Sequence, residues 1–128
     1  MRNKKGFTLS ELLIVVAIIG VLVAISIPIF TSQLHKAEVA TDWANLRAYY
    51  AEIQADYIST GKYNNKVPDW WGDKKYTGSY NSITFLDGKV VPMKAGTCLV
   101  AFDAKYGYSV TYTCNKKDKQ CALTLSNK

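Results

Sequence analysis

Hydrophobic and polar positions divide the chain into three regimes. From Phe7 to Phe30 the sequence is almost continuously apolar, and Glu11 is the one ionisable residue in that run. A helix of this length crosses a bilayer, which takes about 20 apolar residues. From Thr31 to Thr60 there is no Pro or Gly, and the apolar residues return at helical spacing. Trp43, Leu46, Tyr50, Ile53 and Tyr57 form a bulky stripe, with Ala37, Ala40, Ala44, Ala48, Ala51 and Ala55 nearly opposite. The bulky stripe is expected to pack beneath a sheet. The alanines suit either close approach of another helix or an exposed face filled with good helix formers. Anchor and stem are predicted to be one helix from Phe7 to about Ser59, with Gly61 as its C-cap.

Past residue 81 the period changes from helical to alternating. Ser82–Leu86 and Lys89–Met93 flank Asp87-Gly88, a strong hairpin signal. Thr97–Asp103, Tyr108–Cys114 and Cys121–Leu125 complete an expected antiparallel sheet of about four to five strands. The fold class is therefore α+β, a long N-terminal helix packed on a C-terminal sheet. The expected divisions are 1–6, a basic leader; 7–30, the apolar helix; 31–60, its amphipathic half; 61–81, a connecting loop; and 82–128, the sheet. The loop carries Tyr63, Trp70, Trp71, Tyr76 and Tyr80, and is expected to lie against the head by burying them.

The flanks orient the apolar segment. Arg2, Lys4 and Lys5 precede it and only Lys36 follows closely, so the positive-inside rule places Met1 in the cytoplasm and the remainder outside. The run exceeds the roughly 7–15 apolar residues of a secretory signal, and no small-x-small cleavage site closes it, which favours an uncleaved anchor. Glu11 stands out, because a carboxylate in hydrocarbon costs about 2.5–3.5 kcal/mol at mid-helix and marks a functional candidate. Its other reading is a side chain that snorkels to the headgroups.

Lys5-Gly6-Phe7-Thr8-Leu9-Ser10-Glu11, followed directly by the apolar helix, resembles the class III signal sequence of type IV pilins and pseudopilins. Gly20 and Pro28 stand where major pilins of that family carry a helix-loosening glycine and proline. The resemblance covers about Met1–Lys36, and beyond it only the layout is similar. It implies that a prepilin peptidase cuts after Gly6 and methylates the new amine on Phe7. It further implies that Glu11 recognises the Phe7 amine of a neighbouring subunit, and that the helix kinks or melts near Gly20 and Pro28 in the filament. The implied partners are further copies of the chain in a helical filament, the pilus assembly machinery, and the inner or cytoplasmic membrane before assembly. The implied role is a surface filament for adhesion, motility, aggregation or DNA uptake. The alternative is a major pseudopilin of a type II secretion or competence pseudopilus, to which Ile58–Tyr63 is similar.

Charge adds a gradient to this layout. The formal net charge is +6. Between Thr31 and Ser59 the charged residues are Lys36 and Arg47 against Glu38, Asp42, Glu52 and Asp56, whereas Thr60–Lys128 holds eleven lysines and five aspartates. A basic head suits contacts with an acidic stem, solubility, or nucleic acid. The three cysteines leave open Cys114–Cys121 across the last turn, Cys98–Cys114 across the preceding hairpin, or free thiols. The Cys114–Cys121 closure resembles the C-terminal disulfide loop of many pilins, although that loop is usually larger. His35 is the only histidine and no paired ligand spacing appears, so no metal or other cofactor is expected. With no nucleophile elbow, phosphate loop or facing acid pair, the chain does not read as an enzyme.

Overall fold

The computed structural model describes residues 8–69, 80–115 and 121–127. One helix, α1 (Leu9–Thr60), precedes strands β1 (Ser82–Thr84), β2 (Val90–Pro92), β3 (Gly96–Asp103), β4 (Gly107–Cys114) and β5 (Leu123–Leu125). Contacts cluster in two compact units, Met1–Lys36 and Ala37–Lys128.

In the first unit the helical assignment runs through Pro28 without a break. An interior proline has no N–H to give the carbonyl one turn earlier, that of Ala24. Hydroxyls supplement the ladder on either side. Ser26 Oγ donates to Leu22 O at 2.6 Å and Thr31 Oγ1 to Pro28 O at 3.0 Å. An 18-residue window of the helix has a mean hydropathy of 3.1 and none of it is buried. Leu12, Ile18, Leu22, Ile25, Ile29 and Phe30 are each more than half exposed, an apolar surface that needs lipid or protein around it.

In the second unit the core joins Val39, Leu46, Tyr49 and Ile53 of α1 to Val67, Ile83, Ala95, Cys98, Val100, Tyr108, Val110, Tyr112 and Cys121. This corrects the expected stripe. Trp43, Tyr50 and Tyr57 are only partly buried, and the centre of the buried face falls on Val39, Asp42, Leu46, Tyr49 and Ile53. A reading of apolar residues alone misses the shift, because a carboxylate sits in the middle of the face. Gly61, at φ 69°, closes the helix by donating its N–H to Tyr57 O at 2.7 Å.

The strands form two antiparallel sheets where one was expected: β1 with β2, and β3-β4-β5 in that order. Tyr80 and Cys98 exchange backbone bonds of 2.8 and 3.0 Å, which ties the segment entering β1 to the free edge of β3. The β3–β4 hairpin closes at Asp103 opposite Gly107, a three-residue loop. That register sets Cys98 opposite Tyr112 and Cys114 opposite Gly96. Cys98–Cys114 is therefore not the bridge formed. The disulfide joins Cys114 to Cys121, with Cα atoms 5.9 Å apart, and Cys98 remains a buried free thiol. Setting Cys98 opposite Cys114 needs a five-residue loop, and the three-residue turn instead brings Tyr112, two residues earlier, to that place.

Candidate functional site

The helix begins with a capping box. Thr8 N–H donates to Glu11 Oε2 at 3.1 Å, and Glu11 N–H donates to Thr8 Oγ1 at 3.2 Å. Two amides left over at a helix start are thus satisfied reciprocally, in the T-x-x-E pattern that such boxes need. Glu11 has a local reason to sit here, since the first turn also favours negative charge. One oxygen, Oε1, has no protein partner among the described residues. Glu11 is exposed, and its carboxylate bonds only within this capping box among the described residues. The T-x-x-E spacing is the sequence signal for this role, and it is separate from the readings of Glu11 as a snorkelling charge or an assembly group. Gly6 and Phe7 lie outside the described residues, as do Trp70, Trp71, Tyr76, Lys74 and Lys75 of the connecting loop.

Further along, polar side chains of α1 hold the head by its backbone. Asp42, 0% exposed, accepts from Lys94 N–H and Ala95 N–H at 2.8 Å each and from Tyr112 Oη–H at 2.7 Å. Those amides belong to the link between β2 and β3, so one carboxylate fixes the junction of the two sheets. Gln54 does the same at the β3–β4 turn. Its Nε2 donates to Tyr106 O at 3.1 Å and its Oε1 accepts from Tyr108 N–H at 2.9 Å. Trp43 Nε1 donates to Cys121 O at 3.1 Å, Tyr57 Oη to Ala104 O at 2.7 Å, and Glu52 Oε2 accepts from Leu86 N–H at 3.2 Å. A helix that presents bonds to the backbone of four separate segments dictates where each segment lies. None of these roles was read from the sequence. Asp42 could have been found, since it lies in phase with Val39, Leu46, Tyr49 and Ile53, where an acid is out of place without donors.

Burial sets the chemistry of the core groups. It raises the Tyr112 phenol above its ordinary range, and the bond and charge of Asp42 add to the rise. The Cys98 thiol is pushed up to about 12, first by burial and then by the Asp42 charge. A thiol held protonated is a poor nucleophile. The six alanines Ala37, Ala40, Ala44, Ala48, Ala51 and Ala55 are all exposed.

Comparison with known proteins places the N-terminal segment. The family described as "Prokaryotic N-terminal methylation motif" matches residues 1–27. The chain is 49% identical over 61 residues to the type IV narrow pilus major component PilA5 of Thermus thermophilus, covering 44% of this chain and 53% of that protein. It is 33% identical over 96 residues to a fimbrial protein of Moraxella nonliquefaciens, covering 68% of this chain and 57% of that one. The type IV major pilin protein PilA of Myxococcus xanthus is 39% identical over 63 residues, 49% of this chain and 29% of its own length. The chain thus spans about half or less of the length of most curated relatives it matches. No solved structure matches.

Proposed function

We propose that this relative of the type IV pilins, which carries their N-terminal methylation motif and long apolar helix, is a structural subunit of a type IV pilus. The observation that carries the reading is the apolar stretch of α1, an 18-residue window of which has none of its length buried, begun by a capped glutamate. In the membrane that surface is solvated by lipid. In a filament the same surface is buried against copies of itself, and the head is displayed outside. The relatives are named as pilins and fimbrial proteins, which gives the pseudopilin alternative no support.

In this reading Gly6 is the residue after which a prepilin peptidase cuts, and Phe7 becomes the methylated N-terminus. Glu11 then receives the cationic Phe7 amine of a neighbour through the oxygen its own capping box leaves open. A carboxylate in hydrocarbon is costly alone and much less so beside a cation. Residues 1–6 act as leader, 7–30 as anchor and filament core, 31–60 as stem, and 61–128 as loop and head. Gly20 and Pro28 supply the weak stretch of the core helix. The subunit waits in the cytoplasmic membrane with Met1 inside, and ends in the surface pilus. Mass spectrometry of sheared filaments is the deciding measurement. A mature chain starting at N-methylated Phe7 is expected, and an intact Met1 in the filament would refute the processing scheme.

A further inference from the structure

The sheet face opposite the core has an uncommon composition. Alternation along β3, β4 and β5 buries Cys98, Val100, Val110 and Tyr112 and turns a run of short hydroxyls outward: Ser109, Thr111, Thr113, Thr124 and, just past β5, Ser126. Ser109 pairs with Ala101, and the next step of the β4–β5 register brings Ser126 beside it. Where this face meets the β3–β4 turn there is a cavity of about 260 Å³, lined among others by Asp103, Tyr106, Ser109, Thr124 and Ser126. No lysine or arginine lines it, although Lys105 Nζ lies 5.0 Å from the ring centroid of Tyr106, which does. Asp103 Oδ1 holds the turn, accepting from Lys105 N–H at 2.7 Å and Tyr106 N–H at 3.4 Å. Its Oδ2 and the hydroxyls of Ser109, Thr124 and Ser126 have no hydrogen-bond partner among the described residues.

We propose that this cavity binds a neutral sugar residue of a polysaccharide. Serine and threonine hydroxyls both donate and accept, which matches a ligand whose own groups are hydroxyls. Asp103 Oδ2 adds a charge-assisted acceptor, about twice as strong as a neutral one, and it repels phosphate and acidic sugars. The volume falls just below the roughly 300–1,000 Å³ of drug-sized sites, the scale of a single ring. The cavity lies on the side of the sheet away from the core, where a polymer passing over the surface can seat one residue.

The proposal gives a ligand to the head displayed in the reading above, but it does not depend on polymerisation. Binding is therefore measured on the full chain solubilised as a monomer in detergent, by saturation-transfer NMR with cellohexaose and mannohexaose. At least one neutral hexasaccharide is expected to bind. Asp103→Asn, which keeps the Oδ1 acceptor for the turn, is expected to weaken it about tenfold. Ser126→Leu, which fills the cavity from the surface, is expected to abolish it while the unfolding midpoint stays that of the parent protein. No binding by either hexasaccharide, or equal binding by both variants, overturns the proposal. So does tighter binding of an acidic oligogalacturonate, or of single-stranded dT oligomers with steep salt dependence.

Discussion

Replacing Asp42 by alanine tests whether the helix dictates the arrangement of the head. The carboxylate is 0% exposed and takes three donors, Lys94 N–H, Ala95 N–H and Tyr112 Oη–H, at 2.7–2.8 Å. Each buried donor left without a partner costs about 1–3 kcal/mol. Lys94 is exposed and its amide can turn to water, whereas Ala95 and Tyr112 are buried and cannot. Two stranded donors give a loss of roughly 3 kcal/mol, a large share of the 5–15 kcal/mol typical of a domain. For a unit of this size that is a fall in Tm of roughly 12–24 °C. Urea unfolding of the full chain in detergent, followed by tryptophan fluorescence, would read it. Trp43 reports directly, since its indole bonds to Cys121 O. Tyr112→Phe should reduce the cost of Asp42→Ala by about 1 kcal/mol or more in a double-mutant cycle, because one stranded donor is then already gone. A loss under about 1 kcal/mol for Asp42→Ala, or strict additivity in the cycle, would refute the clamp.

Glu11→Ala should leave membrane insertion and processing intact while blocking incorporation into filaments; normal pili on cells expressing it would remove Glu11 from assembly. Gly107→Ala should destabilise the head by at least about 1–2 kcal/mol. Gly107 has φ +88°, and an added Cβ would lie 2.6 Å from the Gln54 amide and 2.8 Å from the Tyr57 ring, so an unchanged urea midpoint would contradict the packing. Native Cys98 should resist iodoacetamide at pH 8 and react once urea unfolds the chain, because its thiol is held up to about 12 from 9.0. The folded state binds that proton more tightly than the unfolded state does. Stability from this source is therefore full below pH 9 and is lost as pH rises from 9 towards 12, which an alkaline unfolding series would show. Gly20→Ala meets no neighbour within 4 Å in the isolated subunit, so it should strengthen the helix by up to about 1 kcal/mol, seen as raised helicity by circular dichroism in micelles.

Much of the secondary structure was legible because it is written locally. The absence of Pro and Gly from Thr31 to Thr60 and the glycine at 61 bound the second half of α1, and Asp87-Gly88 sits between β1 and β2. The buried face of α1 was misplaced by one position, Tyr50 expected and Tyr49 found, because a polar residue anchors that face. The division into two sheets was missed for a similar reason. The link at Lys94 and Ala95 is held by Asp42, a residue more than fifty positions earlier, and no local pattern announces such a bond.

By itself the sequence determined the apolar helix, the direction expected of it in a membrane, the T-x-x-E start and the resemblance to pilins. Each of these depends on length, period or residues a few positions apart, which physics reads along one dimension. Tertiary structure decided which acid is buried, which cysteines are joined and which hydroxyls share a face. Those outcomes turn on how the helix packs and on hairpin register, and the β3–β4 turn is held at Tyr106 and Tyr108 by Gln54, far away in sequence and adjacent only once the helix has packed. The capped glutamate belongs to the first kind of information, and the hydroxyl-lined cavity belongs wholly to the second.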